Sequence, residues 1–227
     1  MNEWNKVWKK RSGLTDYESK WYNFLKKFSD ADSVLEVGCG SGRGLKVFNN
    51  FTVGLDKSRE SIRLAKGGYC TKCLILGDAM HIPLKEKSIG AVISSGLIEH
   101  FKKTRGDKKI LNEMTRVLKE NGKIIVSVPN SSCFWYVGAK FIMTILKKWR
   151  YPNENSYTYS ELKSIFKKLE LGKIKIIGLQ LFPPSYDGFR RIYPKKLAIV
   201  FDKIEGGVGK LNSLFAYAIV GVGEKIS

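Results

Sequence analysis

The chain has 227 residues and a formal net charge of +19, from 40 Lys and Arg against 21 Asp and Glu. Hydrophobic residues make up 43% of it and aromatic residues 12%, which is enough for a packed core and excludes disordered, collagen-like and low-complexity classes. The length fits a single domain covering residues 1–227. Residues 101–227 hold 24 basic and 10 acidic side chains, so most of the positive charge belongs to the second half.

The N-terminus is basic and has no apolar stretch behind it that could be a signal-peptide core. We therefore expect a cytoplasmic location. The four cysteines are too few for a disulfide framework in a chain of this length, and we expect free thiols. They are Cys39, Cys70, Cys73 and Cys133.

The first predicted element is a helix over residues 15–28. Thr15 and Glu18 have the spacing of a capping box, and the apolar residues that follow recur at helical intervals. Residues 1–30 are expected to form an N-terminal helical cap on the core.

Residues 31–130 are expected to form the cofactor-binding core. Short apolar runs alternate there with amphipathic, helix-length segments, a pattern typical of a parallel, doubly wound α/β sheet of the Rossmann-like kind. The predicted strands are residues 33–38, 51–56, 72–78, 91–95 and 122–130, and the predicted crossovers are 43–49, 58–66 and 104–119, the last ending at Asn121-Gly122.

Residues 131–157 are an inserted region rich in aromatic and basic residues, and residues 158–227 complete the core. A capping box from Thr158 to Glu161 predicts a helix through Leu169. Strands at 172–179 and 214–222, separated by an insertion at 180–212, would bring the sheet to seven strands.

The strongest chemical signal is EVGCGSG at residues 36–42, an acid inside a buried strand followed by three alternate glycines. Gly38, Gly40 and Gly42 let the backbone turn sharply and let a ligand lie against it. A dinucleotide site would want a further glycine or alanine, but those positions hold Arg43 and Leu45.

The next two strands also end in acids. Asp56 is placed to accept the hydroxyls of a ribose, and Asp78 with its backbone could meet an adenine edge while Met80 packs on the ring. Because the carboxyl ends of parallel strands share one edge of the sheet, the three sites predict an adenosine ligand.

In these residues the chain resembles the class I S-adenosylmethionine-dependent methyltransferases, in particular the type 11 group that includes quinone-biosynthesis enzymes. EVGCGSG, GLD, GDA and LIEHF occur in the family's order and at its spacing over about residues 30–130. The resemblance implies S-adenosyl-L-methionine as cofactor and an antiparallel last strand. The residues it places at the cofactor are Glu36, Gly38, Cys39, Gly40, Gly42, Asp56, Lys57, Asp78, Ala79, Met80 and Ser95.

Two positions depart from the family pattern. Gly90 stands where an aspartate usually opens the fourth strand, and about thirty residues separate the last two strands, which the family joins more tightly. We therefore expect an unusual acceptor side.

Methyl transfer needs the acceptor held close to the methyl group in a dry site. His100 is the candidate general base and Glu99 the candidate group to orient it, although a structural His100 at a helix start is an equal alternative. Cys70 and Cys73 have the spacing of half a zinc site, but nothing completes it, and we expect no metal.

The inserted region bears on the acceptor. Apolar residues at helical spacing and a basic cluster over 133–150 fit a lid, packed on Trp4, Trp8 or the 180–212 segment, and also a peripheral membrane contact. The apolar residues are Phe134, Val137, Phe141, Ile142, Ile145 and Trp149, and the basic ones are Lys140, Lys147, Lys148 and Arg150.

We therefore expect a methyltransferase acting on a small-molecule, lipid or quinone-like acceptor. RNA is the second choice, because basic and aromatic side chains interleave at 189–196, with Arg190, Arg191, Lys195 and Lys196. A cofactor-binding regulatory protein without turnover, and more distantly a dinucleotide oxidoreductase, remain as alternatives. The oligomeric state is left open.

Overall fold

The protein is described here by a computed structural model that covers residues 16–48, 51–68, 73–149, 151, 153–180 and 214–226. Within these residues the strands are β1 Ser33–Val37, β2 Phe51–Asp56, β3 Cys73–Leu76, β4 Ile89–Ser95, β5 Leu118–Pro129, β6 Leu171–Leu179 and β7 Ala218–Lys225. These seven strands form one sheet in the order β3-β2-β1-β4-β5-β7-β6.

Five α-helices and three short 3-10 helices connect these strands within the described residues. The α-helices are α1 Asp16–Lys26, α2 Arg59–Gly68, α3 Gly106–Val117, α4 Phe134–Ile145 and α5 Tyr159–Lys167. The 3-10 helices are Gly44–Val47, Ile98–His100 and Lys102–Thr104.

The central strands are parallel and the last is not. β1 lies between β2 and β4 in parallel register, and all five of its residues are buried, as a strand covered on both faces requires. β7 is antiparallel to both β5 and β6. The predicted α/β Rossmann-like sheet of seven mostly parallel strands is confirmed, including its antiparallel last strand.

The core lies on both faces of this sheet. One face packs under α3 and α5, and the other under α1, whose Leu25 is fully buried among Val34, Ile93 and Val220. Residues 16–26 therefore cap the core as predicted, while Thr15 of the expected capping box lies outside the described residues.

The third crossover ends earlier than predicted. α3 stops at Val117, and Leu118 is already fully buried and paired with Ile89, so burial of this leucine starts the strand before Asn121. Asn121 takes a positive φ of 60° inside β5. A Cβ at Gly122 would lie 2.8 Å from the Gly90 carbonyl oxygen, so glycine is needed there for close approach of the backbones.

Gly90 has a similar steric reason. A Cβ at this position would lie 2.8 Å from the Ala31 Cβ, and the Gly90 N–H donates to the Ser33 hydroxyl at 2.9 Å. Close packing of β4 against the start of β1 therefore explains why a glycine stands where the family usually has an aspartate.

The inserted region contains the helix α4, whose apolar face is left exposed by the part of the chain that the structure describes. Tyr136 is its one buried residue, whereas Phe134, Phe141, Ile142 and Ile145 are exposed. Trp4, Trp8 and residues 181–213, the expected covering, lie outside the described residues. Within the described part of the chain, no helix has the length and apolarity needed to span a membrane.

Candidate functional site

The loop after β1 is held by its backbone conformation. Gly38, Gly40 and Gly42 have φ values of 78°, 54° and 73°, a left-handed region that side chains rarely adopt. A Cβ at Gly42 would lie 2.9 Å from that of Ala65, so this glycine also permits close packing on α2. A Cβ at Gly38 would come within 3.1 Å of Leu97.

Asp56, at the end of β2, ties this loop to the next helix. One carboxylate oxygen accepts from the Gly40 N–H at 2.8 Å and the other from the Ser58 N–H at 2.8 Å. Burial raises the pKa of Asp56, and the two amide hydrogen bonds oppose that rise by stabilising the carboxylate. Each oxygen keeps a lone pair for a further donor.

Asp78, beyond the end of β3, is held in a similar way. It accepts from the Lys57 ammonium at 2.7 Å and from the Met80 N–H at 2.9 Å. The hydrogen bond from Lys57 lowers the pKa of Asp78 below its usual range. Both acids therefore stand at strand ends on the same sheet edge, as predicted.

A cavity of about 290 Å³ lies at these strand ends. We call it the strand-end cavity. Its walls combine two carboxylates with apolar side chains, a mixture suited to a ligand with hydroxyl groups and a flat ring. It is lined by Gly38, Leu55, Asp56, Lys57, Ser58, Asp78, Ala79, Gly96, Leu97, His100 and Phe101.

A second cavity of about 190 Å³ lies beneath α1. We call it the cap cavity. It is lined by residues from α1 (Glu18, Trp21, Tyr22), from the loop after β1 (Gly38, Cys39, Ser41, Arg43), from the end of β4 and beyond (Ser95, Gly96, Glu99, His100), from β5 (Ser127, Val128, Pro129) and from later segments (Tyr151, Glu154, Tyr217, Ala218). Gly38, Gly96 and His100 line both cavities, so the two spaces adjoin there.

Helix α1 closes the cap cavity through three side-chain contacts. The Trp21 indole N–H donates to the Ser95 hydroxyl at 2.9 Å, and the Tyr22 hydroxyl donates to Glu36 at 2.9 Å. The Arg43 guanidinium forms an ion pair with Glu18 at 2.7 Å. Ser95 thus faces the cap cavity and not the strand-end cavity.

Glu36 is buried in β1 and lines neither cavity. Its second carboxylate oxygen has no hydrogen-bond partner. Burial raises the pKa of Glu36 to about 8, although the hydrogen bond from Tyr22 opposes this. In this structure Glu36 holds α1 through Tyr22.

Glu99 and His100 lie on the 3-10 helix after β4. His100 is half-buried at the junction of the cavities, while Glu99 is buried in the wall of the cap cavity. Burial raises the pKa of Glu99 to about 8, with a smaller contribution from the nearby Glu154. One oxygen of Glu99 has no hydrogen-bond partner.

The segment that carries His100 is fixed by residues that the sequence did not point to. The Asn155 amide and backbone N–H both donate to the Glu99 carbonyl oxygen, at 3.0 and 3.1 Å. The buried Tyr157 hydroxyl donates to Asp107 at 2.8 Å and contacts the Ile98 carbonyl oxygen at 3.4 Å. Asn155 and Tyr157 belong to the inserted region, which therefore holds the segment of His100 in place.

The remaining predicted residues are dispersed. Met80 lines neither cavity. Its methyl group lies against Gly106 at the start of α3, in space that a Cβ on that glycine would need. Gly40 and Gly42 shape the loop without lining either space, and Cys39 faces the cap cavity. Cys39, Cys73 and Cys133 are free thiols, as predicted, and Cys70 lies outside the described residues.

The sequence reasoning also missed most of the cap cavity. Tyr151, Glu154 and Tyr217 follow no recognisable motif, and only the fold brings them beside the loop after β1. Trp21 was visible in the sequence as an apolar position of a helix, which gave no sign of its hydrogen bond with Ser95. Tyr22, which donates to Glu36, was not singled out.

Comparison with known proteins shows what the chain is similar to. Residues 35–126 match the type 11 family described as a methyltransferase domain. The chain is 33% identical over 152 residues to the uncharacterised protein MJ1252 of Methanocaldococcus jannaschii, covering 66% of this chain and 56% of that protein. It is 29% identical over 120 residues to the probable tRNA methyltransferase 9B of Mus musculus, covering 51% of this chain and 26% of that protein.

The fold has close counterparts among solved structures. A SAM-dependent methyltransferase from Archaeoglobus fulgidus superposes with a TM-score of 0.64 at 17% identity, covering 91% of this chain and 92% of the other. This likeness concerns the fold. The chain spans about half the length of the first of these relatives and about a quarter of the second.

Proposed function

Since the chain carries a class I S-adenosylmethionine-dependent methyltransferase domain of the type 11 family, we propose that it transfers a methyl group to a small-molecule or lipid acceptor bound in the cap cavity. The predicted family and its cofactor are confirmed by the match over residues 35–126. The identity of the acceptor and the roles of individual residues are the proposed part.

The shared lining of the two cavities at Gly38, Gly96 and His100 is the observation that carries this proposal. A methyl transfer needs donor and acceptor atoms in contact and in line, with water kept out. Two spaces that share lining residues at the end of β4 would bring a donor in one close to an acceptor in the other. The acceptor space is small, so the reacting part of the acceptor must be small or slender.

The strand-end cavity is the site that fits S-adenosylmethionine. Asp56, already oriented by two backbone amides, would accept from the ribose hydroxyls, and Asp78 with Ala79 would border the adenine. Leu97 and Phe101 supply an apolar wall for the ring. The cofactor contributes an electrophilic methyl group on a sulfonium.

His100 is the residue placed to take a proton from the acceptor, because it borders both cavities. A neutral imidazole can take a proton from a hydroxyl or amine and so act as a general base. Glu99, held mostly protonated at that pH by burial, would act as a neutral hydrogen-bonding group in the wall of the acceptor site. His100→Gln should lower kcat about a hundredfold, measured at saturating S-adenosylmethionine.

The test is incubation of the purified protein with methyl-labelled S-adenosylmethionine and an extract of its source, followed by partition of the label. Label in organic solvent or among small solutes supports the proposal. No label in any fraction, with S-adenosylhomocysteine binding measured in parallel, would contradict turnover and favour a regulatory protein.

RNA is the second candidate acceptor. The net charge of +19 favours phosphate-rich partners, and the matched relatives include probable tRNA methyltransferases. Arg190, Arg191, Lys195 and Lys196, the residues that pointed to RNA, lie outside the described residues. Label that enters the nucleic acid fraction and is released by ribonuclease would replace the small-molecule acceptor by RNA.

A further inference from the structure

Helix α4 presents an apolar stripe to solvent. Phe134, Phe141 and Ile145 are 78%, 66% and 64% exposed, and Val137, Ile142 and Leu146 are exposed beside them. These positions repeat at intervals of three and four residues and so form one face of the helix. An amphipathic helix in a globular protein normally turns such a face toward the core, and here it points outward.

The exposure does not come from a detached helix, because the opposite face of α4 is anchored. Tyr136 is 2% exposed and packs edge-to-face on Tyr217, with ring centroids 5.2 Å apart. The Lys140 ammonium donates to the Glu154 carbonyl oxygen at 2.6 Å. Trp135 stacks on Tyr217 with centroids 5.5 Å apart. The helix is therefore fixed with its apolar face turned away from the core.

The exposed charged side chains that the structure describes at the end of this helix are lysines. Lys147 and Lys148 are exposed directly after the helix, and residues 131–150 contain no Asp or Glu. Glu154, which lies beneath the helix, has a side chain only 6% exposed and is engaged by Lys140. An apolar stripe bordered by lysines is complementary to an apolar layer covered by anionic groups.

We propose that the exposed face of α4 docks the protein on an anionic lipid bilayer, with the helix lying in the interface. Its 12 residues extend about 18 Å, which is too short to cross a hydrocarbon core of about 30 Å. The apolar side chains enter the acyl boundary while Lys147 and Lys148 meet lipid phosphates. This docking does not depend on methyl transfer and can be tested without it.

The docking would also place the candidate acceptor site beside the lipid. Tyr217, which contacts Trp135 and Tyr136 on the anchored side of α4, lines the cap cavity. A lipid-soluble acceptor could then reach the cavity from the bilayer, without passage through water.

The experiment is co-sedimentation of the full chain with phosphatidylcholine vesicles, with and without phosphatidylglycerol. We expect binding to the anionic vesicles that weakens as salt is raised. The double variant Phe141→Ser with Ile145→Ser should bind at least about tenfold more weakly, since both side chains leave water on docking. The matched control is Phe51→Ser, since Phe51 is 59% exposed at the start of β2. This variant should bind vesicles as the wild-type protein does.

A second variant tests the charge. Lys147→Gln with Lys148→Gln should lose roughly tenfold or more of the binding to anionic vesicles and keep the same circular dichroism spectrum. Equal binding to both kinds of vesicle, or to neither, overturns the proposal. So does a dimer in sedimentation equilibrium that the Phe141→Ser with Ile145→Ser variant dissociates, because the face would then belong to a second copy of the chain.

Discussion

Asp56 shows how one carboxylate can organise a site before any ligand arrives. Its two oxygens hold the Gly40 and Ser58 amides, and so it fixes the loop after β1 and the start of α2 together. A ligand hydroxyl that reaches Asp56 meets an acceptor whose position is already set. Affinity gained in this way comes from preorganisation as well as from the new hydrogen bond.

Asp56→Asn should weaken S-adenosylhomocysteine binding about ten- to a hundredfold, measured by titration calorimetry. The amide group would point a donor at one of two backbone N–H groups and would lose the charge that strengthens hydrogen bonds to hydroxyls. Asp32→Asn, at an exposed acid before β1, is the matched control. An unchanged dissociation constant for Asp56→Asn would remove Asp56 from the cofactor site.

Glu36 gives a prediction about stability and pH. Burial raises its folded-state pKa to about 8, whereas the unfolded value is about 4.3. Between these values the folded chain keeps a proton that the unfolded chain has lost, so the free energy of unfolding falls as pH rises. Glu36→Gln should reduce that fall by about 1.4 kcal/mol per pH unit, measured by urea unfolding from pH 5 to 8.

The control for this measurement is Glu120→Gln. Glu120 is exposed, and its hydrogen bond with Lys87 lowers its pKa, so its titration lies below this range. The wild-type slope should survive in that variant. Identical slopes in Glu36→Gln and wild type would mean that Glu36 is ionised in the folded protein.

At the scale of elements, helix α5 shows a local signal that the structure reproduces in full. The Thr158 hydroxyl accepts from the Glu161 N–H, and the Glu161 carboxylate accepts from the Thr158 N–H at 2.8 Å. The helix ends at Lys167, two residues before the predicted end. A capping box needs only four consecutive residues, so the sequence is sufficient to predict it.

Thr158→Ala should lower the free energy of unfolding by about 1 kcal/mol, because the Glu161 N–H would lose its partner. Chemical denaturation gives the value. Ser160→Ala is the control on the same helix, where an exposed serine is replaced by a better helix former, and its stability should be unchanged or slightly higher. Equal losses in the two variants would show that the cap contributes nothing.

Helix α1 does more than its sequence pattern predicts. Its apolar spacing predicts a packing helix, and Leu25 does pack in the core. The same helix also sends Trp21 to Ser95 and Tyr22 to Glu36. The cap therefore forms one wall of the candidate acceptor site.

At the scale of the whole molecule, Lys225 joins the end of the chain to its middle. This residue closes β7, and its buried ammonium donates to the carbonyl oxygens of Thr115 at 2.8 Å and Leu118 at 3.0 Å. Those carbonyls lie at the C-terminal end of α3, where a cation is favourable. The contact locks the antiparallel strand against the parallel half of the fold.

Lys225→Met should lower the free energy of unfolding by about 2 kcal/mol, since it leaves carbonyl groups without a charged donor. Lys173→Met, at a lysine whose side chain is 75% exposed, is the control and should change stability little. Thermal or urea unfolding measures both. A wild-type midpoint for Lys225→Met would mean that the β7 ladder alone holds the C-terminus.

The sequence by itself determined the sheet, the glycine loop and the positions of Asp56 and Asp78 at the strand ends. These features follow from short-range patterns, because buried parallel strands are continuous apolar runs and their carboxyl ends share an edge. The end of α3 was placed two residues too late, because the burial of Leu118 against β4 outweighed the local stop signal.

Only the tertiary structure decided the rest. The cap cavity joins Trp21, Gly38, His100, Glu154 and Tyr217, which are far apart in sequence and share no motif. The outward direction of the apolar face of α4 was equally invisible, because helical spacing shows which residues share a face but not what packs on it. Burial is a property of the assembled chain, so the acceptor side of this protein could be found only once the strands, the cap and the inserted helix were in place.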